Sequence, residues 1–114
     1  MDKSLQDQLA TLVVIKEIQE VYRQGKIHKT NDCIDDMLRD GFWEADVEKV
    51  ILNATSIEKV MPATSPMASN PKNTHYVIHG ESTKCLKVYC KICSNYHPVT
   101  GEFMEWRLTS FCIK

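Results

Sequence analysis

Apolar residues in the first part of the chain follow helical spacing. They recur at gaps of three or four as Leu5, Leu9, Leu12, Ile15, Ile18 and Tyr22. This spacing predicts an amphipathic helix over residues 4–23, which ends before Gly25. Valines at positions 13, 14 and 21 widen the apolar surface beyond one stripe. We therefore expect this helix to be covered on two sides, with a second copy of the chain as a candidate partner in a homodimer.

Two shorter helices are predicted next. Thr30 or Asn31 caps the first of them, and Gly41 ends it. Its apolar face is formed by Cys33, Ile34, Met37 and Leu38. Residues 42–54 form the other, with an inner face of Val47, Val50, Ile51 and Ala54. The predicted helical half of the chain therefore covers residues 4–54.

After residue 55 the pattern changes from helical spacing to alternation. Four strands are predicted, at 56–61, 75–79, 84–92 and 103–113. An exposed loop rich in Pro, Ser and Asn is predicted over 62–74. No helical stretch separates the strands, and parallel neighbours would need such crossovers. The sequence therefore predicts one α+β domain over residues 1–114, in which N-terminal helices pack on a C-terminal antiparallel β-sheet of three to four strands within 56–113.

Alternation divides the strand at 84–92 into two faces. One face carries Leu86, Val88, Cys90 and Ile92. The other carries Cys85, Lys87, Tyr89, Lys91 and Cys93. Because a sheet in a two-layer domain buries one face, we expect the apolar set beneath the helices and the lysines and tyrosine on an open surface.

Composition narrows the class of protein. Of the 114 residues, 43% are hydrophobic and 25% are charged, which is typical of a globular domain that buries a core. Five cysteines are an odd number, unlike a disulfide framework, and favour reduced thiols in the cytoplasm. No signal peptide and no apolar stretch of membrane-spanning length is recognisable, so we expect a cytoplasmic protein without a membrane partner.

The net charge of −1 hides an asymmetry between the two halves of the chain. Residues 1–58 hold 7 Lys and Arg against 12 Asp and Glu, a charge of −5. Residues 59–114 hold 7 against 3, a charge of +4. The predicted sheet half is therefore the basic half, which makes RNA a candidate partner for it.

Several short motifs resemble a bacterial family of domains of unknown function. Asn31–Phe42 followed by Asp46–Asn53 is similar to that family's His-Ala-x-x-Arg-Met helix, Gly-Ile/Val turn and Asp-Val-x-x-x-Ile helix. The likeness covers roughly residues 17–113 and continues in three strand segments: Tyr76–Gly80, Leu86–Cys90 and Leu108–Phe111. That family looks related to the RelE/ParE toxin superfamily, especially its BrnT and MqsR types. The resemblance implies a RelE-like fold, mRNA endonuclease activity and a small antitoxin protein as partner.

Three positions depart from the pattern of that family. Asp32 stands where the family's helix usually has His, and Asp36 stands where it has Arg. Trp43 replaces the small polar cap of the next helix. If these helix residues bind or cleave RNA in relatives, this chain either uses its sheet for that function or has lost the function.

The sheet half supplies side chains for metal-independent RNA cleavage. Such a reaction needs groups that deprotonate the ribose 2′-OH, stabilise the phosphorane and protonate the leaving 5′ oxygen. The candidate catalytic residues are His79, Lys87, Tyr89 and Arg107. The candidate RNA-binding residues are Lys84, Lys91 and Tyr76. This chemistry requires no cofactor and no metal.

Each assignment has a structural alternative. Lysines and a tyrosine on a strand are also typical of a solvated sheet face, and a histidine there is commonly a hydrogen-bonded structural residue. Cys90, Cys93 and His97 have the spacing of a zinc site, to which Cys85 or Cys112 would add a fourth ligand. Residues three apart on a strand point to opposite faces, however, which favours buried reduced cysteines.

Two functions are therefore predicted. The first is a toxin-like RNA-binding or RNA-cleaving domain of the RelE type, with RNA and a small antitoxin as partners. The second is a non-catalytic interaction or dimerisation module of the same fold, which uses the apolar surface of the first helix and Trp43. The missing His and Arg favour the module, whereas the basic sheet half favours the RNA-directed function.

Overall fold

The computed structural model describes residues 3–62, 70 and 72–114. Within these ranges the elements are α1 (Lys3–Arg23), β1 (Ile27–Lys29), α2 (Asn31–Asp40), α3 (Glu44–Leu52), β2 (Lys59–Pro62), β3 (Thr74–Glu81), β4 (Lys87–Tyr96) and β5 (Phe103–Ile113). The predicted α+β class is therefore confirmed. Most of the loop predicted over 62–74 lies outside the described residues.

The strands form one mixed sheet with the order β1-β5-β4-β3-β2. Strands β2 to β5 pair antiparallel, and β1 pairs parallel to β5. The antiparallel pairing of the four predicted strands is therefore confirmed, but the predicted number is wrong, because the sheet has β1 as a fifth, parallel strand. The chain from β1 to β5 contains α2 and α3, which provide the long connection that a parallel pair needs. Because β1 has only three residues, alternation could not mark it in the sequence.

Strand boundaries differ from the alternation pattern in three of the predicted strands. β3 extends over Thr74–Glu81, and β4 ends at Tyr96 rather than at residue 92. β2 begins at Lys59 rather than at residue 56. A turn precedes β4, in which the Ser82 hydroxyl accepts a hydrogen bond from the backbone N–H of Leu86 and Cys85 has a positive φ of 62°. β4 therefore begins at Lys87. Leu86, which was expected beneath the helices, lies in the turn and is exposed.

Helix ends coincide with capping residues. The Thr30 hydroxyl accepts a hydrogen bond from the backbone N–H of Cys33 at 3.2 Å, and Gly41 ends α2 in the left-handed region with φ 74°. α2 therefore begins and ends where the sequence indicated, and α3 is slightly shorter than predicted. α2 packs on β5, α3 on β3 and α1 on α3. In the part of the chain that the structure describes, no helix is long and apolar enough to cross a membrane.

The helices bury one face of the sheet. The core is formed mainly by Ile18, Met37, Phe42, Val47, Ile51, Ile78, Val88, Cys90, Ile92, Trp106, Leu108 and Phe111. Within β4, Val88, Cys90 and Ile92 are fully buried, so the predicted alternation is confirmed from Lys87 to Ile92, whereas Cys93, predicted on the open face, is buried as well. Lys87, Tyr89 and Lys91, which alternate with the first three of these residues, consequently point away from the helices.

A buried carboxylate ties α3 to the turn between β3 and β4. Asp46 accepts hydrogen bonds from the backbone N–H of Trp43 at 2.7 Å and from the backbone N–H and hydroxyl of Thr83 at 2.8 and 2.7 Å. Burial alone would raise the pKa of this carboxyl, but the hydrogen bonds hold the pKa below its ordinary value of 3.8. The ionised form of Asp46 therefore stabilises the fold.

Asp46→Asn is expected to lower the free energy of unfolding at neutral pH by about 2 kcal/mol, because an amide replaces a charged acceptor of three hydrogen bonds. The pKa of Asp46 is lowered in the folded state. Its contribution is therefore present above the ordinary pKa of 3.8 and is lost as the pH falls through the folded-state value. Urea unfolding from neutral to acid pH measures both effects.

The control is Asp35→Asn at an exposed position of α2, which should leave stability nearly unchanged. Equal losses in the two variants would contradict the structural role of Asp46.

Candidate nucleic-acid interface

The face of the sheet opposite the helices is called the outer face. It is formed at its centre by His75, Val77, His79, Lys87, Tyr89, Lys91, Cys93 and Arg107. The register pairs across β3 and β4 are His79 with Tyr89, Val77 with Lys91, and His75 with Cys93. Because paired residues project to the same side, the register sets these side chains in rows across the strands.

His79 and Tyr89 form one of these rows. Their ring centroids are 6.0 Å apart, and the ring planes are tilted by 44°. The Nδ1 atom of His79 is 3.9 Å from Oε1 of Glu58, and the two form an ion pair when the imidazole is protonated. The imidazole offers a nitrogen acceptor, and the adjacent phenol offers a hydroxyl donor and a stacking surface.

Two lysines flank Tyr89 along β4. Lys87 and Lys91 are each two residues away, so their Cα atoms lie about 7 Å from that of Tyr89. Lys87 is exposed and Lys91 is half-buried. A third cation, Lys59 of β2, lies opposite Val77 in the same row as Lys91. The outer face therefore presents ammonium groups on both sides of the tyrosine, as a phosphate backbone would require.

Arg107 belongs to the outer face, but its charge is already paired. Its Nε atom donates to Oε1 of Glu105 at 2.7 Å. Its register partners are Cys93 of β4 and His28 of β1. It lies two rows from His79, so the structure does not bring this predicted catalytic residue next to the others.

Two predicted RNA-binding residues lie away from the outer face. Tyr76 is on the helix-covered face, where its ring centroid is 5.8 Å from that of Trp106. Alternation along β3 turns this position away from His79. Lys84 lies in the turn between β3 and β4, near Asp46 at the start of α3. The structure therefore does not group these two residues with the rest of the predicted site.

A cleft between α2 and the outer face contains a histidine that no motif singled out. Its volume is about 540 Å³, and it is lined by Thr30, Asp32, Asp35, Asp36, His75, Lys91, Thr109 and Ser110. Burial, and then the charge of Lys91, hold the pKa of His75 below its ordinary value of 6.5. This environment therefore favours the neutral form of the imidazole. Alternation placed His75 on the same face as His79, but only the tertiary fold brings α2 beside it.

The carboxylates of α2 limit where a polyanion can lie. α2 runs beside the C-terminal part of β5, where the backbone N–H of Thr30 donates to the carbonyl of Leu108 at 3.1 Å. At the other end of the helix, the backbone N–H of Ile113 donates to Asp40 at 2.9 Å. Three aspartates of α2 thereby border the cleft and repel phosphate. The cationic path on the outer face therefore runs along β3 and β4.

The cysteines are distributed over both faces of the sheet. Cys90 is buried beneath the helices, whereas Cys93 lies on the outer face, as their spacing on a strand predicts. The Nδ1 atom of His97 accepts hydrogen bonds from the backbone N–H groups of Val99 and Thr100, both at 3.1 Å. Among the side chains that the structure describes, no group of three or more His, Cys, Asp or Glu is arranged to hold a metal ion.

Comparisons with known proteins of three kinds gave no match. No family model, no curated protein and no solved structure matches the chain. The resemblance to RelE/ParE-type toxins therefore stays a prediction from short motifs, and so does the RelE-like form of the fold.

The environment of His75 can be tested by titration. Lys91→Met is expected to raise the pKa of His75, because it removes a like charge and leaves the apolar stem in place. Lys87→Met, which removes a lysine of the same strand that does not line the cleft, is the control and should leave that pKa unchanged. The pKa of His75 is measured from NMR spectra of the histidine ring protons recorded as a function of pH. A wild-type His75 that titrates at or above 6.5 would show that the cleft does not perturb it.

Proposed function

We propose that this chain is a toxin-like RNA-binding domain of the RelE type that cleaves RNA without a metal ion. One observation carries the proposal: His79 and Tyr89 lie opposite each other on two strands, with Lys87 and Lys91 on the same face. A sheet face that combines aromatic and cationic side chains is a common platform for single-stranded RNA.

Binding is assigned first to the lysines of β4. Lys87 and Lys91 hold neighbouring phosphates, because they flank Tyr89 on one side of the strand. Lys59 extends the cationic path onto the neighbouring strands. The aspartates of α2 repel the RNA phosphates from the edge of the sheet formed by β5 and α2. The RNA therefore follows β3 and β4 across the outer face.

Cleavage is assigned to the row formed by His79 and Tyr89. Neutral His79 accepts the proton of the ribose 2′-OH, and the 2′ oxygen attacks the phosphorus. Lys91 stabilises the charged phosphorane. The bond from phosphorus to the 5′ oxygen then breaks, and the Tyr89 hydroxyl donates a proton to that oxygen. The products are a 2′,3′-cyclic phosphate and a 5′-hydroxyl, and Glu58 stabilises the imidazolium that forms.

The departures from the family pattern fit a shift of the site onto the sheet. In the resemblance, Asp32 and Asp36 replace a His and an Arg of the family's helix. Both aspartates line the cleft that also contains His75 and Lys91. His75 and Lys91 thus lie across the cleft from Asp32 and Asp36, the positions at which the family's helix carries its His and Arg. The assigned cleavage row of His79 and Tyr89 lies next to Lys91 but outside this cleft, so we infer that the role of the helix has moved onto β3 and β4.

A small antitoxin protein is the partner that this function requires, because an active ribonuclease must be neutralised in the cell that makes it. Since the outer face carries the proposed RNA path, we place the antitoxin there. It would need acidic side chains to pair with the lysines of β4.

A non-catalytic interaction module is the second candidate function. The observation in its favour is exposed apolar surface, because Trp43 before α3 and Leu38 on α2 are largely in water. In that case the outer face binds RNA without cleaving it, or does not bind RNA. The first experiment below separates the two functions.

His79→Gln is expected to lower the rate of RNA cleavage at least about a hundredfold, because it removes the proton acceptor. RNA affinity should stay nearly unchanged. Tyr89→Phe, which removes only the hydroxyl, should have a similar effect on the rate. The assay follows a labelled single-stranded RNA in the presence of EDTA, with its 2′-deoxy analogue as the uncleavable control.

Lys26→Ala is the matched control variant for cleavage, since this lysine is exposed and lies outside the outer face. Cleavage that persists in His79→Gln would contradict the assigned mechanism. Wild-type protein that binds RNA without cleaving it would favour the non-catalytic module.

RNA affinity should depend on salt through the two lysines of β4. Replacing Lys87 or Lys91 by Met is expected to reduce the slope of log affinity against log salt concentration by about 0.7 each, the value for one phosphate contact on a single strand. Fluorescence anisotropy at several KCl concentrations measures the slope. Lys26→Met should leave it unchanged. If all three variants have the wild-type slope, the RNA does not lie along β4.

A further inference from the structure

Helix α1 carries two apolar surfaces that face different ways. In its C-terminal half, Ile15 and Ile18 are buried, and Val14, Val21 and Tyr22 pack against the core. In its N-terminal half, four apolar side chains are in water: Leu5 is 46% exposed, Leu9 50%, Leu12 45% and Val13 66%. These four residues are called the α1 stripe.

The α1 stripe points away from the body of the protein. Successive residues of a helix are about 100° apart, so the α1 stripe occupies a sector about 100° wide. The sector of Ile15, Ile18 and Tyr22 is centred about 130° from it. Asp7, Gln8, Thr11 and Leu12 line a cleft with residues 55–57, so Leu12 forms the edge of the α1 stripe nearest the body, whereas Leu5, Leu9 and Val13 lie outside this cleft. The chain's own core therefore covers one side of α1 and leaves the α1 stripe outside.

An uncovered stripe of this kind is costly for the helix that carries it. The first three turns of α1 are exposed on most sides, and isolated helices of such length are marginal in water. Four large apolar side chains in one sector form a larger patch than scattered surface residues do. The exposure of these turns and the size of the apolar patch both favour a partner that covers the α1 stripe.

We propose that the partner is a second copy of this chain, whose α1 packs antiparallel on the α1 stripe about a two-fold axis beside Leu9. This inference does not depend on the proposed RNA chemistry. A two-fold contact requires a surface that is complementary to itself. Two copies that meet about this axis set Leu9 against the partner's Leu9, and Leu5 against the partner's Val13.

The charges near the α1 stripe favour a second copy over a charged partner. From Leu5 to Val13 the charged residue is Asp7, which lies on the body-facing side. Lys16, which ends the α1 stripe, is the one charge that a partner would meet next to it, so a segment that binds through several charges would find little to pair with, whereas two identical stripes can meet with their lysines kept apart. The net charge of −1 also gives two copies little long-range repulsion.

The direction of packing follows from the residue that ends the α1 stripe. The spacing of Leu5, Leu9 and Leu12 continues to Lys16 one turn later. Parallel helices would set Lys16 against the partner's Lys16 at the seam, at a cost in repulsion. Antiparallel helices move the two lysines to opposite ends of the contact. The antiparallel arrangement is therefore the one that the α1 stripe supports.

The test is the oligomeric state of the full chain. Sedimentation equilibrium at micromolar concentration should show a dimer for the wild-type protein. Leu9→Glu should raise the dimer dissociation constant at least about a hundredfold, because it sets two carboxylates against each other at the axis and removes two leucines from the contact. Val99→Glu is the matched control, since this valine between β4 and β5 is 87% exposed and lies off the α1 stripe.

A second pair of variants tests the position of the axis. Leu9→Glu and Leu9→Lys should each be monomeric alone and should form a dimer when mixed, because opposite charges then meet. Circular dichroism must show that both are folded. A monomeric wild-type protein, a Leu9→Glu variant that dimerises like the wild type, or a mixture that stays monomeric would overturn the proposal.

Discussion

Burial of one face of β4 fixes the register on which the rest of the molecule depends. Val88, Cys90 and Ile92 are fully buried between the helices and the neighbouring strands. Because side chains alternate, a shift of one residue would place all three in water and bring two lysines into the core. The lost apolar burial and the burial of two charges would together exceed the net stability of a domain this size. The core therefore decides which side chains the outer face presents.

A second constraint comes from the position of α2 at the edge of the sheet. The parallel pairing of β1 with β5 brings the chain to Leu108, and Thr30 then continues this edge as the cap of α2. The helix takes the place of a further strand beside the C-terminal half of β5. Its carboxylates consequently border the outer face, and the local potential changes sign within one cleft. A polyanion and a positively charged group would be attracted to opposite walls of that cleft.

The features that the sequence predicted are those that local chemistry defines. α2 has a threonine cap and a left-handed glycine at its ends, and β5 is a long strand of eleven residues, so both were predicted with nearly correct bounds, although two register shifts against β4 interrupt the alternation of β5. β1 was missed because its three residues are held by pairing with a strand about 80 residues later. Leu86 was misplaced because Cys85, at a positive φ, ends the alternation. The cleft around His75 depends on contacts between α2, β3 and β5, which no local pattern encodes.

The distribution of charge between the layers bears on how a polyanion would meet the protein. Residues 1–58, a range that contains α1, α2 and α3, carry a charge of −5, and residues 59–114 carry +4. The helices lie behind the sheet as seen from the outer face, about 10 Å from it, the usual distance between packed layers. Physiological salt screens charges over about 8 Å, so a phosphate at the outer face interacts mainly with the lysines of β2 and β4 and with the aspartates of α2. The acidic side chains of α1 and α3 behind the sheet therefore contribute little to the potential at the outer face.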